Sequence, residues 1–439
     1  MNHVLQPVES DTLAPAKAGT GALVEAILDE PDALVYFLLN VGDGDTQLLL
    51  LPPDSNDKVR RLAIVDVATT RKLPALIESL HQVQVPPSTG NARGTATGTS
   101  TGPQPLIQQP GSPGQIRLVV ATHPHFDHIG GMGELFEKYN ALHRGTSGGT
   151  GAAAGTTPYA SSACIDQFWE PGYFFPGPSF HKVMAHLETS PWIRRLQPTS
   201  GTSTFLDSVK ITVMGPGVGL RTRFDTYGVE VNNASLTLMF EYPAHRIYTE
   251  PDPESGERLN RRTVRRKSRR LLLGGDAQFA SWAQTTVDFP DLHNEQNPVL
   301  ARELQAARGR DYLACDLFKM SHHASKHGIN LELMERVSAA YVLVSSTGGA
   351  GRYGFPHALA MDAAREARQA TTTSGAARLT DHALGIHVTG AVLDDTAGTV
   401  LGSMAVVVSP KPSRGMRIFR LMDDEKDLID LAAAREVLP

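Results

Sequence analysis

The chain has few cysteines and no long apolar run. Two of its 439 residues are cysteines, Cys164 and Cys315, and they lie far apart in the sequence. This argues against a disulfide framework and against a cysteine-rich zinc site. No segment reaches the ~18 uninterrupted apolar residues that a membrane span needs, and residues 1–28 lack a basic stretch followed by an apolar run. We therefore expect a cytoplasmic protein with no membrane span.

The chain also has little net charge. A formal net charge of −5 creates no global basic field, so contact with nucleic acid or an anionic membrane needs a local patch. One such patch is the basic run 258–270, which contains eight Lys or Arg residues. Beside a catalytic cleft this run could follow a phosphate backbone, with binding that weakens as salt rises. Alternatively, it is a solvated loop tip.

Three segments interrupt an otherwise globular pattern. Residues 88–115 and 145–157 are rich in Gly, Ser, Thr, Pro and Ala, which predicts surface insertions, and 250–269 is a third candidate insertion. Strands recur in two sets with helices between them, which indicates one α/β domain, an αββα sandwich, over 31–410. Residues 1–30 and 411–439 are predicted extensions, the second with an amphipathic helix over 424–437.

The segment RLVVATHPHFDHIGGM contains four metal-ligating side chains directly after an apolar strand and before a helix: His123, His125, Asp127 and His128. Imidazole nitrogens and carboxylate oxygens are suitable ligands for zinc, and also for manganese or iron. Alternate residues after a strand point the same way, so the first two histidines can bind one ion while the Asp-His pair binds a second. The alternative, a chance cluster in a surface turn, is disfavoured by the specific spacing.

Several spaced motifs resemble the metallo-β-lactamase superfamily, and more narrowly the hydrolase domain of ComEC-type DNA-uptake proteins and their soluble relatives. They are NVGDGDTQLLLLP at 40–52, VD at 65–66, THPHFDHIGG at 122–131, VNNASLTLMFEY at 231–242, LLLGGDAQ at 271–278, FKMSHHAS at 318–325 and YGFPH at 353–357. The resemblance covers most of residues 35–410. It implies an αββα sandwich with a dinuclear metal site at the sheet edges.

The resemblance also implies roles for individual residues. Asp276 would bridge two metals, and His323 would be a ligand while His322 faces substrate. Asp66 would hold the metal-binding loop in place without binding the metal itself. For each, the alternative is an ordinary role at a strand end or a helix cap.

Two family motifs are altered in this chain. The family's Asp-x-Gly is Asp66-Val67-Ala68 here, and His-His-Gly-Ser ends in Ala324-Ser325, so the local backbone freedom differs. The third-motif histidine of lactamases and lactonases has no clear counterpart. His181 and His186 lie in the right region but on a helical pattern, where histidines are more often structural.

Other candidate site residues carry weaker signals. Asn232 and Ser235 match a family motif and could orient substrate or hold a strand edge. Arg352 and Tyr353 follow a Gly-rich loop, a plausible place for substrate-binding groups. The two aspartates of the VGDGD turn, Asp43 and Asp45, are at least as readily turn residues as catalytic ones.

These observations predict a metal-dependent hydrolase with two divalent ions, zinc first and manganese second. A metal-bridged hydroxide would attack, Asp127 would take part in catalysis, and His322 or Lys319 would stabilise developing charge. Phosphodiesters, including nucleic acid, are the first substrate class, by analogy with a domain linked to nuclease activity. The alternatives are a small phosphoester, lactone or thioester, or a non-catalytic regulatory module that retains the fold.

Overall fold

The computed structural model of the chain describes residues 11–17, 19, 21–54, 58–86, 102–144, 163–222, 229–244, 246–250, 260–264, 268–290, 311–349, 351–372, 379–392 and 400–438. Their helices are α1 (Ala22–Asp29), α2 (Lys72–Gln82), α3 (Phe126–Ile129), α4 (Met132–Arg144), α5 (Pro178–Glu188), α6 (Val218–Thr222), α7 (Val229–Asn233), α8 (Phe279–Asp288), α9 (Leu331–Val337) and α10 (Ala358–Thr372).

The strands of the described residues form two large sheets and two small ribbons. They are β1 (Leu34–Leu38), β2 (Thr46–Leu50), β3 (Leu62–Val67), β4 (Gln84–Val85), β5 (Gln104–Pro105), β6 (Ile116–Val120), β7 (Gln167–Trp169), β8 (Arg194–Leu196), β9 (Ser203–Leu206), β10 (Val209–Gly215), β11 (Thr237–Tyr242), β12 (Arg246–Glu250), β13 (Asn260–Val264), β14 (Arg269–Leu273), β15 (Leu317–Lys319), β16 (Tyr341–Val344), β17 (Ile386–Val388), β18 (Met404–Val408), β19 (Met416–Arg420) and β20 (Arg435–Glu436).

The first sheet has nine strands in the order β20-β19-β18-β1-β2-β3-β6-β7-β8, and the second has seven in the order β17-β16-β15-β14-β11-β10-β9. Strands β3 and β6 are parallel, as are β14, β15 and β16. The pairs β6–β7, β7–β8 and β16–β17 are also parallel, and the other pairs of the two large sheets are antiparallel. Because parallel neighbours end at the same edge, the loops that follow β3, β6, β14, β15 and β16 can build one site.

Three apolar clusters separate four layers. In β1, Leu34 and Tyr36 point to the cluster between the two sheets, while Val35 and Phe37 point to the cluster under α1, α2, α4 and α5. A third cluster, which includes Trp282, lies between the seven-stranded sheet and α8, α9 and α10. A strand buried on both faces needs apolar residues at every position, which is why β1 reads as a continuous apolar run. The architecture is the expected αββα sandwich of the metallo-β-lactamase fold.

Two predictions from the sequence are wrong: the helix over 424–437 and the full extent of the insertion at 88–115. Residues 424–437 do not form a helix; they contain a 3₁₀ turn at Leu431–Ala433 and strand β20, which pairs with β19. Residues 102–115 are not a surface insertion throughout, because Leu106 and Ile107 are buried in the core under α2. Residues 88–101 and 145–157 lie outside the described residues.

No helix among the described residues has both the length and the apolar character that a bilayer crossing requires.

Candidate metal centre

The His-x-His-x-Asp-His segment leaves β6 and enters α3. His123 and His128 are fully buried, whereas 39% of the Asp127 side chain is exposed. His125 has extended backbone (φ −69°, ψ 151°) and directly precedes α3, which separates the first two histidines from the Asp-His pair. The local backbone thus sorts the four side chains into two groups.

Asp276 joins these two groups. It follows β14 and is almost fully buried. One potential ligand cluster contains Asp127, His128, Asp276 and His323, and a second contains His123, His125 and Asp276; within each, the ligand atoms lie within 4.8 Å of one another. The structure therefore brings together all six residues proposed as ligands, and Asp276 is common to both clusters.

The donor atoms of the first cluster fit a metal ion. His128 Nε2 and Asp276 Oδ1 lie 3.1 Å apart, and His323 Nε2 lies 3.7 Å from both Asp276 Oδ1 and Asp127 Oδ2. Yet His128 Nε2, Asp276 Oδ1 and His323 Nε2 are buried and have no hydrogen-bond partner. Unsatisfied buried polar atoms are costly, and a cation at their common centre would satisfy all three.

Asp66 lies directly behind this cluster. Its Oδ1 accepts the backbone N–H of Thr122, and its Oδ2 accepts the Thr122 hydroxyl, each at 2.7 Å. Oδ2 is also 2.8 Å from His128 Nδ1. If that nitrogen donates its proton, His128 Nε2 is left with a lone pair facing Asp276. This geometry is the one that a supporting role for Asp66 requires.

The two adjacent histidines after β15 point different ways because the backbone here is left-handed. His322, His323 and Ala324 have φ values of 49°, 52° and 62°, so Ala324 adopts the conformation that glycine favours at this position in the family. His323 is buried, and its Nδ1 lies 2.9 Å from the Ser345 carbonyl oxygen. This contact fixes an Nδ1–H tautomer and leaves Nε2 facing Asp127 and Asp276.

His322 lies at the side of the centre. Its Nδ1 is 3.1 Å from Gln278 Nε2, its Nε2 is 3.4 Å from Asn232 Nδ2, and Nε2 is 3.8 Å from Asp276 Oδ2. Asn232 therefore reaches the centre only through His322. Gln278 was not singled out from the sequence, although its place two residues after Asp276 is a usable signal.

Lys319 lies beneath the centre rather than in its mouth. It is fully buried and forms an ion pair with Asp45, which is also fully buried. Asp45 in turn lies 3.8 Å from His323 Nδ1 and 4.0 Å from His128 Nδ1. Asp45 is thus part of the site as well as of the turn, and its pairing holds the Lys319 ammonium inside the protein.

The remaining candidates lie at the rim or away from it. Arg352 and Tyr353 are exposed, and Tyr353 approaches the histidines only through Phe355. His181 packs on Phe174, and His186 stacks on Phe136 at 6.4 Å. Among the described residues neither of these two histidines joins a ligand cluster.

The charges of the side chains in the centre favour the binding of a cation. Burial lowers the pKa of His123 and of His125, so both offer neutral nitrogens. Burial acts in the same direction on His128, but Asp276 and Asp66 outweigh it and raise its pKa well above the usual value. Burial would raise the pKa of Asp276, but the surrounding histidines, His128 first, hold it well below. The Asp276 carboxylate thus remains charged and attracts a cation.

The basic run is described only in part. Residues 260–264 form β13, which pairs with β12 in a separate ribbon, and Arg269 and Arg270 begin β14. Arg258 and residues 265–267 lie outside the described residues, as do the side chains of 260–264.

Comparison of the sequence with protein-family models supports the same fold. Residues 89–186 match the model of the metallo-beta-lactamase superfamily. That range contains the His-x-His-x-Asp-His segment but less than half of the chain. A search of curated proteins finds none that matches this sequence.

Solved structures with a similar fold share little sequence with the chain. The metallo-beta-lactamase fold protein YhfI from Bacillus subtilis is 10% identical, with 81% of this chain and 95% of that one covered and a TM-score of 0.33. CmlA, a diiron beta-hydroxylase from Streptomyces venezuelae, is 9% identical over 82% of this chain, with a TM-score of 0.35. A long form RNase Z from yeast is 9% identical over 72% of this chain, with a TM-score of 0.32. The chain spans 53% of the hydroxylase and 38% of the RNase Z.

Proposed function

We propose that the protein is a metal-dependent hydrolase that cleaves phosphodiester bonds, including those of nucleic acid. The observation that supports this most is the pair of ligand clusters that share Asp276 at the ends of the parallel strands. Proteins of this fold are usually metal-dependent hydrolases. The choice of phosphodiesters rests on the resemblance to ComEC-type domains and on the basic run.

Six side chains would hold the two divalent ions. His123, His125 and Asp276 would bind one, and Asp127, His128, Asp276 and His323 the other, with zinc first and manganese second. Bound ions of this kind supply Lewis-acid activation of water and of the scissile group.

The chain's own residues would position and protect the reaction. Asp66 holds His128 in one tautomer, and the Ser345 carbonyl does the same for His323. Asp127 is the more exposed of the two proposed ligands that have a carboxylate, so it can accept a hydrogen bond from incoming water or substrate. His322 faces the centre through Nε2 with Asn232 beside it, a suitable place to orient a bound substrate.

The first experiment compares metal-stripped protein reloaded with zinc or manganese on a generic phosphodiester. Asp127→Ala and Asp276→Ala should lose metal-dependent turnover, and metal analysis should show less bound metal in Asp276→Ala. Asp288→Ala changes an exposed aspartate on α8 and is the matched control. Full metal content without turnover on phosphodiesters would contradict the substrate class and direct the search to lactones, thioesters, small phosphoesters or a regulatory role.

A second experiment concerns the basic run. Neutralising Arg261, Arg262, Arg265 and Arg266 together should weaken nucleic-acid binding and flatten its dependence on salt. Unchanged affinity would restrict this run to a solvated loop.

A further inference from the structure

Exposed aromatic side chains are concentrated around the metal centre. Five aromatic residues are exposed among the described residues, and one of them, Phe205, lies on β9, away from the centre. The other four are chain neighbours of residues that form or contact the centre, or stack on one that does. Phe126 lies between His125 and Asp127, and Phe174 precedes Phe175, whose ring lies 5.7 Å from that of His125. Phe279 follows Gln278, which contacts His322, and Tyr353 stacks on Phe355. Exposed apolar side chains that are grouped together often mark a binding site, so the mouth of the site is suited to a partner with apolar or flat surfaces.

Phe126 is the most exposed of these rings. It sits between His125 and Asp127 and is 73% exposed. Its ring lies over Gly130, where an added Cβ would come within 3.0 Å of it. The glycine thus leaves room for a ring that packs against the backbone on one side and faces solvent on the other.

A second group of flat side chains extends outward from the late histidines. Phe355 lies 5.5 Å from His322 and 5.7 Å from His323, centroid to centroid. Tyr353 stacks on Phe355 at 5.8 Å with an interplanar angle of 25°, and it is 64% exposed. The Arg352 guanidinium lies 5.7 Å from the centre of the Tyr353 ring. We call Arg352, Tyr353 and Phe355 the aromatic shelf.

The aromatic shelf combines the two features that single-stranded nucleic acids use. Each base offers a flat face that stacks on an aromatic ring, and an arginine beside the ring adds cation–π attraction and a partner for phosphate. A duplex cannot use the shelf in this way, because its base faces are already stacked on one another. An acyl chain would use the apolar rings but would leave Arg352 without a partner of opposite charge.

We infer that the aromatic shelf and Phe126 bind nucleobases next to the scissile phosphodiester, so that the protein acts on single-stranded nucleic acid. This inference rests on the proposed function and narrows its substrate. Tyr353 and Phe126 are positioning residues, since they hold the strand by its bases and do not contact the reacting atoms.

Binding of two hydrolysis-resistant strands to the metal-loaded protein tests this inference. One is a phosphorothioate oligothymidylate, and the other has the same backbone with stable abasic sites in place of the bases. Wild type should bind the strand with bases about tenfold more tightly, as expected for stacking of one or two bases. Tyr353→Leu should lose most of that preference while its affinity for the abasic strand stays the same, and Phe126→Leu should reduce it.

The matched control is Tyr353→Phe, which keeps the ring and should keep the preference. Equal binding of the two strands by wild type, no binding of either, or a preference that survives in Tyr353→Leu would overturn the inference. Tighter binding of a phosphorothioate duplex than of the single strand would also overturn it. Turnover of a generic phosphodiester is a separate measurement, so loss of the stacking inference and loss of the proposed function are distinguishable.

Discussion

Asp66 connects two parts of the metal centre through a single carboxylate. Its Oδ2 receives both the Thr122 hydroxyl and His128 Nδ1. Both neighbours act as donors toward this oxygen and the Thr122 backbone N–H donates to Oδ1, so an amide at position 66 would have to face a donor with its own N–H groups in either orientation. The orientation of His128 therefore depends on the negative charge and not only on the shape of the side chain.

Asp66→Asn should weaken metal binding by about 10- to 100-fold, the usual effect of losing a group that orients a metal-binding histidine. Titration of metal-stripped protein against a chromogenic chelator measures this affinity. Asp288→Asn provides the control for a general effect of removing an aspartate. An affinity equal to that of wild type would show that His128 keeps its orientation without Asp66.

Lys319→Met should destabilise the fold by about 3–5 kcal/mol, because it leaves the buried Asp45 carboxylate without its cation. The double variant Lys319→Met/Asp45→Leu should recover much of this loss, since both charges are then absent. Urea denaturation of the two variants and wild type gives the comparison. A stable single variant with impaired turnover would instead support the catalytic role predicted for Lys319 from the sequence.

The residues of the centre differ in how readily they can be predicted from the sequence. Four of the proposed ligands lie within one short segment after a strand, where local geometry already brings them together. Asp45 is paired with a lysine 274 residues away, and no local pattern records such a contact. Because VGDGD is typical of a turn, the sequence did not indicate that Asp45 is buried and charged.

At the scale of secondary structure, strands were predicted more accurately than the chain's C-terminal segment. Runs such as 34–40 and 46–51 are mainly apolar because β1 and β2 are covered on both faces. Residues 424–437 have helix-forming composition, but Arg435 and Glu436 gain ladder contacts with β19 and Asp430 accepts the N–H of Ala432. Tertiary contacts can outweigh intrinsic helix propensity, which is worth less than about 1 kcal/mol per residue.

Strand β19 is predicted to be essential for stability, because Phe419 on it is fully buried in the core under α1. Phe419→Ala should lower the free energy of unfolding by about 3–5 kcal/mol. Leu428→Ala, which truncates an exposed side chain in the same C-terminal region, should change it little. Denaturant midpoints of the two variants measure the difference. A small effect of Phe419→Ala would return residues 411–439 to the status of a dispensable extension.

Across the whole molecule, Asp11 links the outer strands of the two sheets. Its Oδ1 lies 2.7 Å from His387 Nδ1 on β17, and its Oδ2 accepts from Arg420 Nε on β19 at 2.6 Å. His382 lies 3.5 Å away, and Tyr341 stacks on His387. Asp11, His382 and His387 could form a third ligand cluster. However, Arg420 already supplies the positive charge that balances Asp11.

This link should make stability depend on pH. Burial lowers the pKa of His387 and outweighs the opposing effect of Asp11, and Arg420 adds a smaller lowering contribution. Burial would raise the pKa of Asp11, but Arg420 and the two histidines hold it well below its usual value. Both groups therefore bind protons more readily in the unfolded chain, and their stabilisation is present above the unfolded pKa values and lost as pH falls.

For His387 the loss should begin near pH ~6.5, the unfolded value for histidine, with a slope of up to about 1.4 kcal/mol per pH unit. His387→Gln removes this titration while retaining a donor for Asp11. Urea midpoints measured from neutral pH downward should fall less steeply for the variant than for wild type. Parallel curves would mean that His387 has the same pKa in the folded and unfolded chains.

The pairing of β1 with β18 has a consequence for how the protein is made. Leu34 faces Val408 and Leu38 faces Met404, so the sheet that carries the His-x-His-x-Asp-His segment is incomplete until residue 408 has left the ribosome. His323, the last of the six proposed ligands, is also synthesised late. Contacts this distant in sequence are slow to form. During translation the nascent chain would therefore expose its apolar strands for most of its synthesis and would capture metal only after the last strands have docked.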